Sequence, residues 1–345
     1  MSVNSSTNPL LSMPQKSVFD LTYEVFDVLL AQTDKSVRQY LQLHQPTLSL
    51  DQIDEWLAPC AIFIDAIPSD KEDKLKHGQM LTIELKDHFE QKVNTHWESV
   101  WQNDEIIAIN KPAPLAVSRT TRNLHDTLIG LVRRQTPYCK AQLLHRLDIE
   151  TSGLILLAKD KNSDIKWKKN LKSLIEKKVY HAIVKGVPQW HEHTLDNQLA
   201  ERVDSQIRCK MFVVDESLPS STYKKPKQSK TVFKRLKTQG EYSLIECQLL
   251  TGRKHQIRAH LAHLGLPIVG DKIYSQEGMY FLKRLESTTG LTESDYLSLG
   301  AENHLLRAVE LGLRLCPDED LIMIRSPSFK PQMDQEIFPL SKGNS

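Results

Sequence analysis

The densest concentration of chemistry-bearing side chains is LLHRLDIETSGLILLAKD, residues 143–160. In it His145, Arg146, Asp148, Glu150, Thr151 and Ser152 lie between Leu143–Leu144 and the nearly all-apolar run 154–159. A carboxylate so close to buried strands is expensive unless it is paired or hydrogen-bonded, and a carboxylate kept there is a candidate base or nucleophile. The residues alone leave Asp148 two readings: catalysis, or bracing the Thr151–Ser152–Gly153 turn. His255, His260 and His263 raise a zinc hypothesis, but their spacing is not His-Glu-x-x-His and no fitting carboxylate accompanies them, so ordinary helix histidines and no metal are expected. The sequence holds no Gly-x-x-x-x-Gly-Lys loop, no Gly-x-Gly-x-x-Gly helix start and no Gly-x-Ser-x-Gly elbow. ATPase, dinucleotide oxidoreductase and serine hydrolase chemistry therefore lose ground, and no cofactor is expected.

The elements that must position these residues are those of an ordinary globular chain. Its 345 residues, 40% hydrophobic and 26% charged with 13 Gly and 16 Pro, suit about two domains and exclude collagen-like or wholly disordered sequence. No window has the roughly 18 uninterrupted apolar residues of a spanning helix, and the N-terminus lacks the basic start and apolar run of a secretory signal. The five cysteines are scattered with no Cys-x-x-Cys pair, which argues against a disulfide framework and points to a reducing cytoplasm. Charge is divided unevenly: the first hundred residues hold 8 Lys or Arg against 15 Asp or Glu, leaving 37 of the 45 basic and 28 of the 43 acidic residues to the rest. That asymmetry favours a polyanionic partner for the larger portion.

Residues 1 to about 30 read as an extended lead-in. Val37, Tyr40 and Leu41 share a helical face, and Ser49 three residues before Gln52 forms a capping box ahead of Ile53, Trp56 and Leu57. AIFIDAI (61–67) is an apolar, branched run and LTIEL (81–85) alternates, so two helices and a small sheet make an N-terminal module over 1–98, closed by a polar linker at 87–98. A second domain, 99–345, opens on the buried-strand candidate IIAI (106–109), followed by a helix over 124–134 and the strand LILLAK (154–159). Trp167, Leu171, Leu174 and Ile175 share one face of a lysine-rich helix. VYHAIVKG (179–186), TVFKRL (231–236) and YSLIECQLL (242–250) are strands, and HQIRAHLAHL (255–264) is a short helix closed by Gly265. Between Tyr223 and Lys237 stand seven basic residues and no acidic one, a density suited to phosphate contact.

The segment His145–Gly153, HRLDIETSG, resembles the signature of the RluA-type RNA pseudouridine synthases, and further pieces follow in that family's order. Asn110-Lys111-Pro112 resembles its Asn-Lys-Pro element and Lys178-Val179-Tyr180 its Lys-x-Tyr element. Thr251–Arg258, TGRKHQIR, resembles its second signature and is followed by Gly265-x-Pro267-Ile268-x-Gly270-Asp271 and Tyr274. The resemblance covers about residues 100–330.

It implies an α+β fold, with a mixed, mostly antiparallel sheet and a central cleft, in which one uridine of an RNA is converted to pseudouridine without a cofactor. Asp148 matches the essential carboxylate, acting as nucleophile or as the base that removes a ribose proton. By family match Arg253 is its guanidinium partner, and Tyr180 is the aromatic that packs on the target uracil. Arg146 resembles the arginine that displaces the target base, Lys111 and Arg258 either contact RNA phosphates or cap the fold, and His145, Thr151 and Gly153 shape the turn. The expected partner is ribosomal or transfer RNA, met by a monomer. The alternative is an RNA-binding or ribosome-assembly factor that keeps the fold without relying on catalysis. The N-terminal module departs from the small RNA-binding domain of many relatives in its acidic balance and in lacking an Asn-Gly turn within AIFIDAI. The segment 275–303 looks like an insertion.

Overall fold

The computed structural model describes residues 16–25, 33–44, 48–91, 93–120, 123, 125–287 and 290–327. The chain packs into two units, Met1–Lys92 with Arg119–Asp126, and Val93–Ser118 with Thr127–Ser345. The excursion at 119–126, which joins the first unit, has no counterpart in the sequence reading.

The first unit contains β1 (Lys16–Val25), α1 (Val37–His44), α2 (Leu50–Leu57), β2 (Cys60–Ile64), β3 (Ile67–Ser69) and β4 (Leu81–Gln91). Its sheet has the order β1-β4-β2-β3, with every pair antiparallel. The predicted helix faces are buried: Val37, Tyr40, Leu41, Ile53 and Leu57 join Ile64, Leu75, Leu81 and Ile83 in one core. The capping box forms, with Gln52 N donating to Ser49 Oγ at 3.2 Å and Ser49 N to Gln52 Oε1 at 2.9 Å. Two expectations are corrected. The presumed lead-in contains a strand, and β4 continues to Gln91 through the presumed linker because β1 pairs along it from Lys16↔Gln91 to Val25↔Leu81. The remainder of the lead-in, 1–15 and 26–30, lies outside the described residues.

AIFIDAI is likewise a hairpin rather than one strand. Asp65 and Ala66 both take left-handed φ, 52° and 64°, the geometry of a two-residue type I′ turn. The Asp65 carboxylate is held by Met80 N at 2.9 Å and Gln79 Nε2 at 3.0 Å. Ala66 has no such compensation, and its Cβ stands where glycine is at ease.

The second unit runs β5 (Glu98–Gln102), β6 (Ile106–Lys111), α3 (Leu128–Gln135), β7 (Gln142–Leu143), β8 (Ser152–Ala158), α4 (Lys161–Lys169), α5 (Leu171–Leu174), β9 (Ile175–Lys185), β10 (Glu192–Arg202), β11 (Phe212–Val213), β12 (Tyr223–Gln239), β13 (Tyr242–Leu249), α6 (Gln256–His263), α7 (Met279–Glu286), α8 (Glu293–Leu299), β14 (Leu306–Leu313) and β15 (Ile322–Arg325). The strands form one sheet in the order β11-β10-β12-β13-β9-β14-β8-β6-β5, with β15 added on β14 and β7 on β8. Among the described strands only β8 and β14 pair in parallel, so the sheet is mixed and mostly antiparallel, as expected. Near-continuous burial of Ile106–Ile109 and Leu154–Ala158 puts β6 and β8 in the middle of the core.

Two local readings change. The helix expected over 124–134 starts at Leu128, behind the N-cap Thr127, and Leu124 lies outside the described residues. The face of Trp167, Leu171, Leu174 and Ile175 is split, because α4 stops at Lys169, α5 restarts at Leu171 and Ile175 already belongs to β9. The insertion at 275–303 is largely helical, carrying α7 and α8. At the start of β8 the chain passes so close to β14 that a Cβ on Gly153 would lie 2.1 Å from the Ala308 carbonyl oxygen, and its φ is +98°. Only glycine fits there, which fixes the turn carrying Asp148 against the sheet.

The Ala66→Gly variant should gain about 1 kcal/mol, the order of the left-handed penalty for a residue with a Cβ, and urea unfolding followed in the N-terminal unit checks this. A loss of stability would show that Ala66 is not strained.

Candidate active site

Asp148 sits on the turn between β7 and β8, whose geometry is closed by Thr151 N donating to Asp148 O at 3.1 Å. Its carboxylate receives Arg258 Nη1 at 2.7 Å, and 32% of the side chain remains exposed. Arg258 comes from the middle of α6 and is itself only 5% exposed. The other side of its guanidinium holds Asp271 in a two-point contact, Nε at 2.7 Å and Nη2 at 2.9 Å. Asp271 is fully buried and also accepts Ile273 N at 2.9 Å and Tyr274 N at 3.1 Å. One planar cation thus bridges a fixed carboxylate and a half-exposed one, and the Tyr274 ring covers it at 5.2 Å.

The electrostatics follow. Burial pushes the Asp148 carboxyl up, but the charge of Arg258 outweighs it together with His255 and His304, so the group titrates below the usual carboxylate range. Asp271 is held lower still: burial opposes ionisation, and the charge and hydrogen bonds of Arg258 overcome it. Both carboxylates are therefore ionised at neutral pH.

His255, the N-cap of α6, stands in a left-handed conformation with φ 54°. Its Nε2 is 3.7 Å from Asp148 Oδ2 and its Nδ1 is 3.3 Å from the Tyr274 hydroxyl. Because Met211 N donates to that hydroxyl at 2.9 Å, the Tyr274 proton is free to point at Nδ1. Burial pushes His255 down to about 4, helped by Arg258 and resisted by Asp148, so the ring is neutral. The tautomer this network selects carries its proton on Nε2, toward Asp148.

The turn is clamped from the other side. Lys111, at the end of β6 and 1% exposed, donates to Pro112 O at 2.9 Å and to Leu115 O and Ile149 O at 3.0 Å each. Burial pushes this amine down to about 7 while Asp148 and Glu150 pull it back. Three carbonyls match the three protons of an ammonium, and a neutral amine would leave one unmet. Glu150 accepts Lys272 Nζ at 2.8 Å, and Thr151 Oγ1 meets His304 Nε2 at 2.8 Å. His145 Nε2 lies 3.1 Å from the Leu156 N it accepts, tying the turn to β8.

The residues singled out from sequence therefore separate. Asp148 and Tyr180 come together: Tyr180 is on β9, 7% exposed, and burial with the nearby Asp148 charge raises its hydroxyl, which stays protonated. Arg253 does not reach Asp148. It is exposed in the loop before α6, and its Nε donates to Gln228 O at 2.8 Å. Arg258, five residues on and inside the helix, takes the place expected for Arg253. Neither Arg258 nor Lys111 is available to RNA phosphates, since both are buried in contacts of the fold. Arg146 is exposed two residues before Asp148. Of the three helix histidines, His260 has both ring nitrogens against hydroxyls, Ser229 Oγ and Thr231 Oγ1, at 3.0 Å each. Asp271, Tyr274 and His255 were missed as parts of the site. The signal available for them was an arginine set between Ile257 and Leu261 on an apolar helix, which requires buried carboxylate partners.

This arrangement offers an ionised, oriented carboxylate beside a protonated tyrosine. Residues 105–263 match the family model described as RNA pseudouridylate synthase. A dual-specificity RNA pseudouridine synthase RluA of Vibrio parahaemolyticus is 31% identical over 228 residues, 64% of this chain and 85% of that protein. The chain belongs to the RluA-type RNA pseudouridine synthases. A ribosomal large subunit pseudouridine synthase D of Neisseria meningitidis is 29% identical over 238 residues, and the match spans 66% of this chain and 60% of that relative. The solved structure of human RNA pseudouridylate synthase domain containing 1 shares the fold, with TM-score 0.50 and 20% identity, covering 72% of this chain and 96% of that one.

Replacing Arg258 with Gln should destabilise the second unit by about 3–5 kcal/mol, since it strands a buried carboxylate, whereas Arg253→Ala should stay within about 1 kcal/mol. Urea unfolding of both variants separates the two roles, and equal losses would contradict the assignment. Stability should also decline as pH falls from about 6.5 toward 4. His255, His260 and His304 are each pushed down to about 4 by burial, so over that window the unfolded chain binds protons that the folded one refuses. Each contributes about 1.4 kcal/mol per pH unit at most. A flat profile across pH 4–6.5 would show that these rings are not held neutral.

Proposed function

We propose that this protein isomerises uridine to pseudouridine at a specific position of a structured ribosomal or transfer RNA, with Asp148 as the essential carboxylate. The reaction breaks the bond between uracil N1 and ribose C1′ and joins C5 to C1′. The C5 proton leaves and N1 gains one, so no cofactor and no net redox change are needed. Asp148 serves this as a nucleophile at C1′ or as the base for a ribose proton, and both routes need it ionised and aimed. The observation that carries the reading is the 2.7 Å contact from a buried Arg258 to a carboxylate that still faces solution. Maintaining a buried cation between two carboxylates is costly for a protein that only binds RNA, which favours catalysis over the assembly-factor reading.

Tyr180 is proposed to pack on the target uracil, its protonated hydroxyl near the departing C5 proton. Arg146, exposed on the catalytic turn, is proposed to enter the space that the extruded base leaves, as an arginine plane can stack and meet phosphate together. Extruding a stacked base costs a few kcal/mol, which the pocket contacts must offset. Asp148, Tyr180, Arg258 and Asp271 all come from one chain, which supports action as a monomer. Among the described residues no helix is long and apolar enough to cross a membrane, and action in the cytoplasm is part of the proposal.

The test is release of tritium from carbon 5 of uridine in bulk cellular RNA, with no cofactor added. Wild type should release label. Asp148→Asn should release none yet bind RNA within about tenfold, or about 1.4 kcal/mol, of wild type. Comparable release by both proteins would remove Asp148 from its role.

A further inference from the structure

The basic strand β12 and the end of β10 opposite it carry a second feature that the catalytic constellation does not use. Glu201 pairs with Lys224 and Arg202 with Tyr223 in the β10–β12 register, and the chain between them loops out over residues 203–222. Where the loop leaves β10 there is an open cavity of about 300 Å³ lined by Glu201, Arg202, Val203, Ser205, Arg208 and Lys224. Three of these side chains are cationic and one is anionic. The anion, Glu201, accepts Lys254 Nζ at 2.9 Å and also lies opposite Lys224, whose charge it feels, so the three cations still exceed it. Arg202 spends Nε and Nη2 on Asp204, at 3.0 and 2.6 Å. Arg208 is exposed and, among the described residues, has no hydrogen bond or ion pair. Lys224 is exposed and directed by the register to the same end of the hairpin.

The loop is anchored beside the catalytic turn. Ile207 is buried with Leu199, Ala259, Ile273 and Tyr274. Met211 N is bonded to the Tyr274 hydroxyl, and Lys210 Nζ lies 5.7 Å from the ring of Tyr274, which in turn covers Arg258. Cys209, between Arg208 and Lys210, is near enough to feel the charges of Lys254, Arg258 and Asp148. The loop that carries Arg208 is therefore tied, through Met211 N and the Tyr274 hydroxyl, to the ring that covers the arginine holding Asp148.

From this we infer that the pocket of Arg202, Arg208 and Lys224 is a phosphodiester site for the substrate strand next to the target uridine. An internal phosphate offers one charge and two free oxygens, which suits the fork of Arg208 with a lysine point charge beside it. A strand whose base is extruded toward Asp148 must pass its neighbouring phosphates along the same face, so a fixed cation there sets which nucleotide is presented. The inference rests on the proposed action on RNA and adds to it a location for strand anchoring outside the catalytic residues.

The test is a double variant, Arg208→Ala with Lys224→Ala, in the otherwise intact full chain. A matched control, Lys166→Ala with Lys168→Ala on α4, removes the same charge elsewhere. Binding of a ribosomal RNA transcript is measured between 50 and 200 mM salt, and tritium release over a range of RNA concentrations up to saturation. The double variant should bind about tenfold more weakly, with the salt slope reduced by about 1.4–1.8, because two phosphate-neutralising cations are gone. Its KM should rise by a similar factor while kcat stays within about twofold. The control should keep wild-type affinity and slope. Unchanged affinity and slope in the double variant, or equal losses in the control, would overturn the phosphate site. If the double variant does not fold, Arg208→Gln alone gives the same reading at half the slope change. Absence of tritium release from wild type would count against the isomerase reading, while the binding arm would still decide the pocket.

Discussion

The guanidinium of Arg258 is the interaction on which the rest of the site depends. A carboxylate on a turn is free to swing and to take up a proton as water leaves its cleft, and either change would disable it. Arg258 prevents both by donating from one side to Asp148 and from the other to Asp271. Asp271 in turn is immobilised by the backbone N–H groups of Ile273 and Tyr274. The order of dependence runs from the loop after α6, through Asp271 to Arg258, and only then to Asp148. The buried charges are tolerable because every one has a partner, and the triad becomes hazardous if one member is lost.

Around this cation the fold closes the turn from several directions. Gly153 allows β8 to approach β14, Lys111 gathers three carbonyls beneath Ile149, and Glu150 and Thr151 are held by Lys272 and His304. These contacts tie the catalytic turn to β6, β8 and the segment leading into β14. Strands, α6 and hydrogen-bonded connecting segments together thereby define where the Asp148 carboxylate points. His255 adds a neutral Nε2–H on the same side as Arg258, kept in that tautomer by Tyr274.

Much of this was legible in the sequence. Asp148 stood out as a carboxylate among buried strands, and β6, β8, β9, β12 and β13 followed from apolar runs and their turns, whereas β10 and β14 inside the same sheet were not read. The arginine partner was misplaced because TGRKHQIR contains two arginines on either side of a helix start, and spacing alone does not say which one turns inward. The start of α6 at Gln256 decides it, leaving Arg253 in the loop and Arg258 inside. Lys111 and Arg258 were read as contacts to RNA phosphates or as caps of the fold, and only the structure decides for the second, since the carbonyls and carboxylates that satisfy them come together only when distant segments fold. In the first unit, β1 was overlooked although Phe19, Leu21, Tyr23 and Val25 alternate as a half-buried strand should. The Asp65–Ala66 turn escaped notice because it lacks the glycine that normally signals left-handed φ.

The charge asymmetry also takes structural form. The acidic excess lies in the first unit, while the second carries the basic strand β12 and the cations beside the catalytic turn, which is the unit a polyanion would meet. The central claim is that Arg258 keeps Asp148 ionised and fixed. A carboxyl-carbon NMR titration of Asp148, in wild type and in Arg258→Gln, tests it most directly. The account predicts a wild-type pKa below the usual carboxylate range, rising above it once the guanidinium is removed and burial acts alone. A wild-type value at or above that range, or one that does not move in the variant, would contradict it.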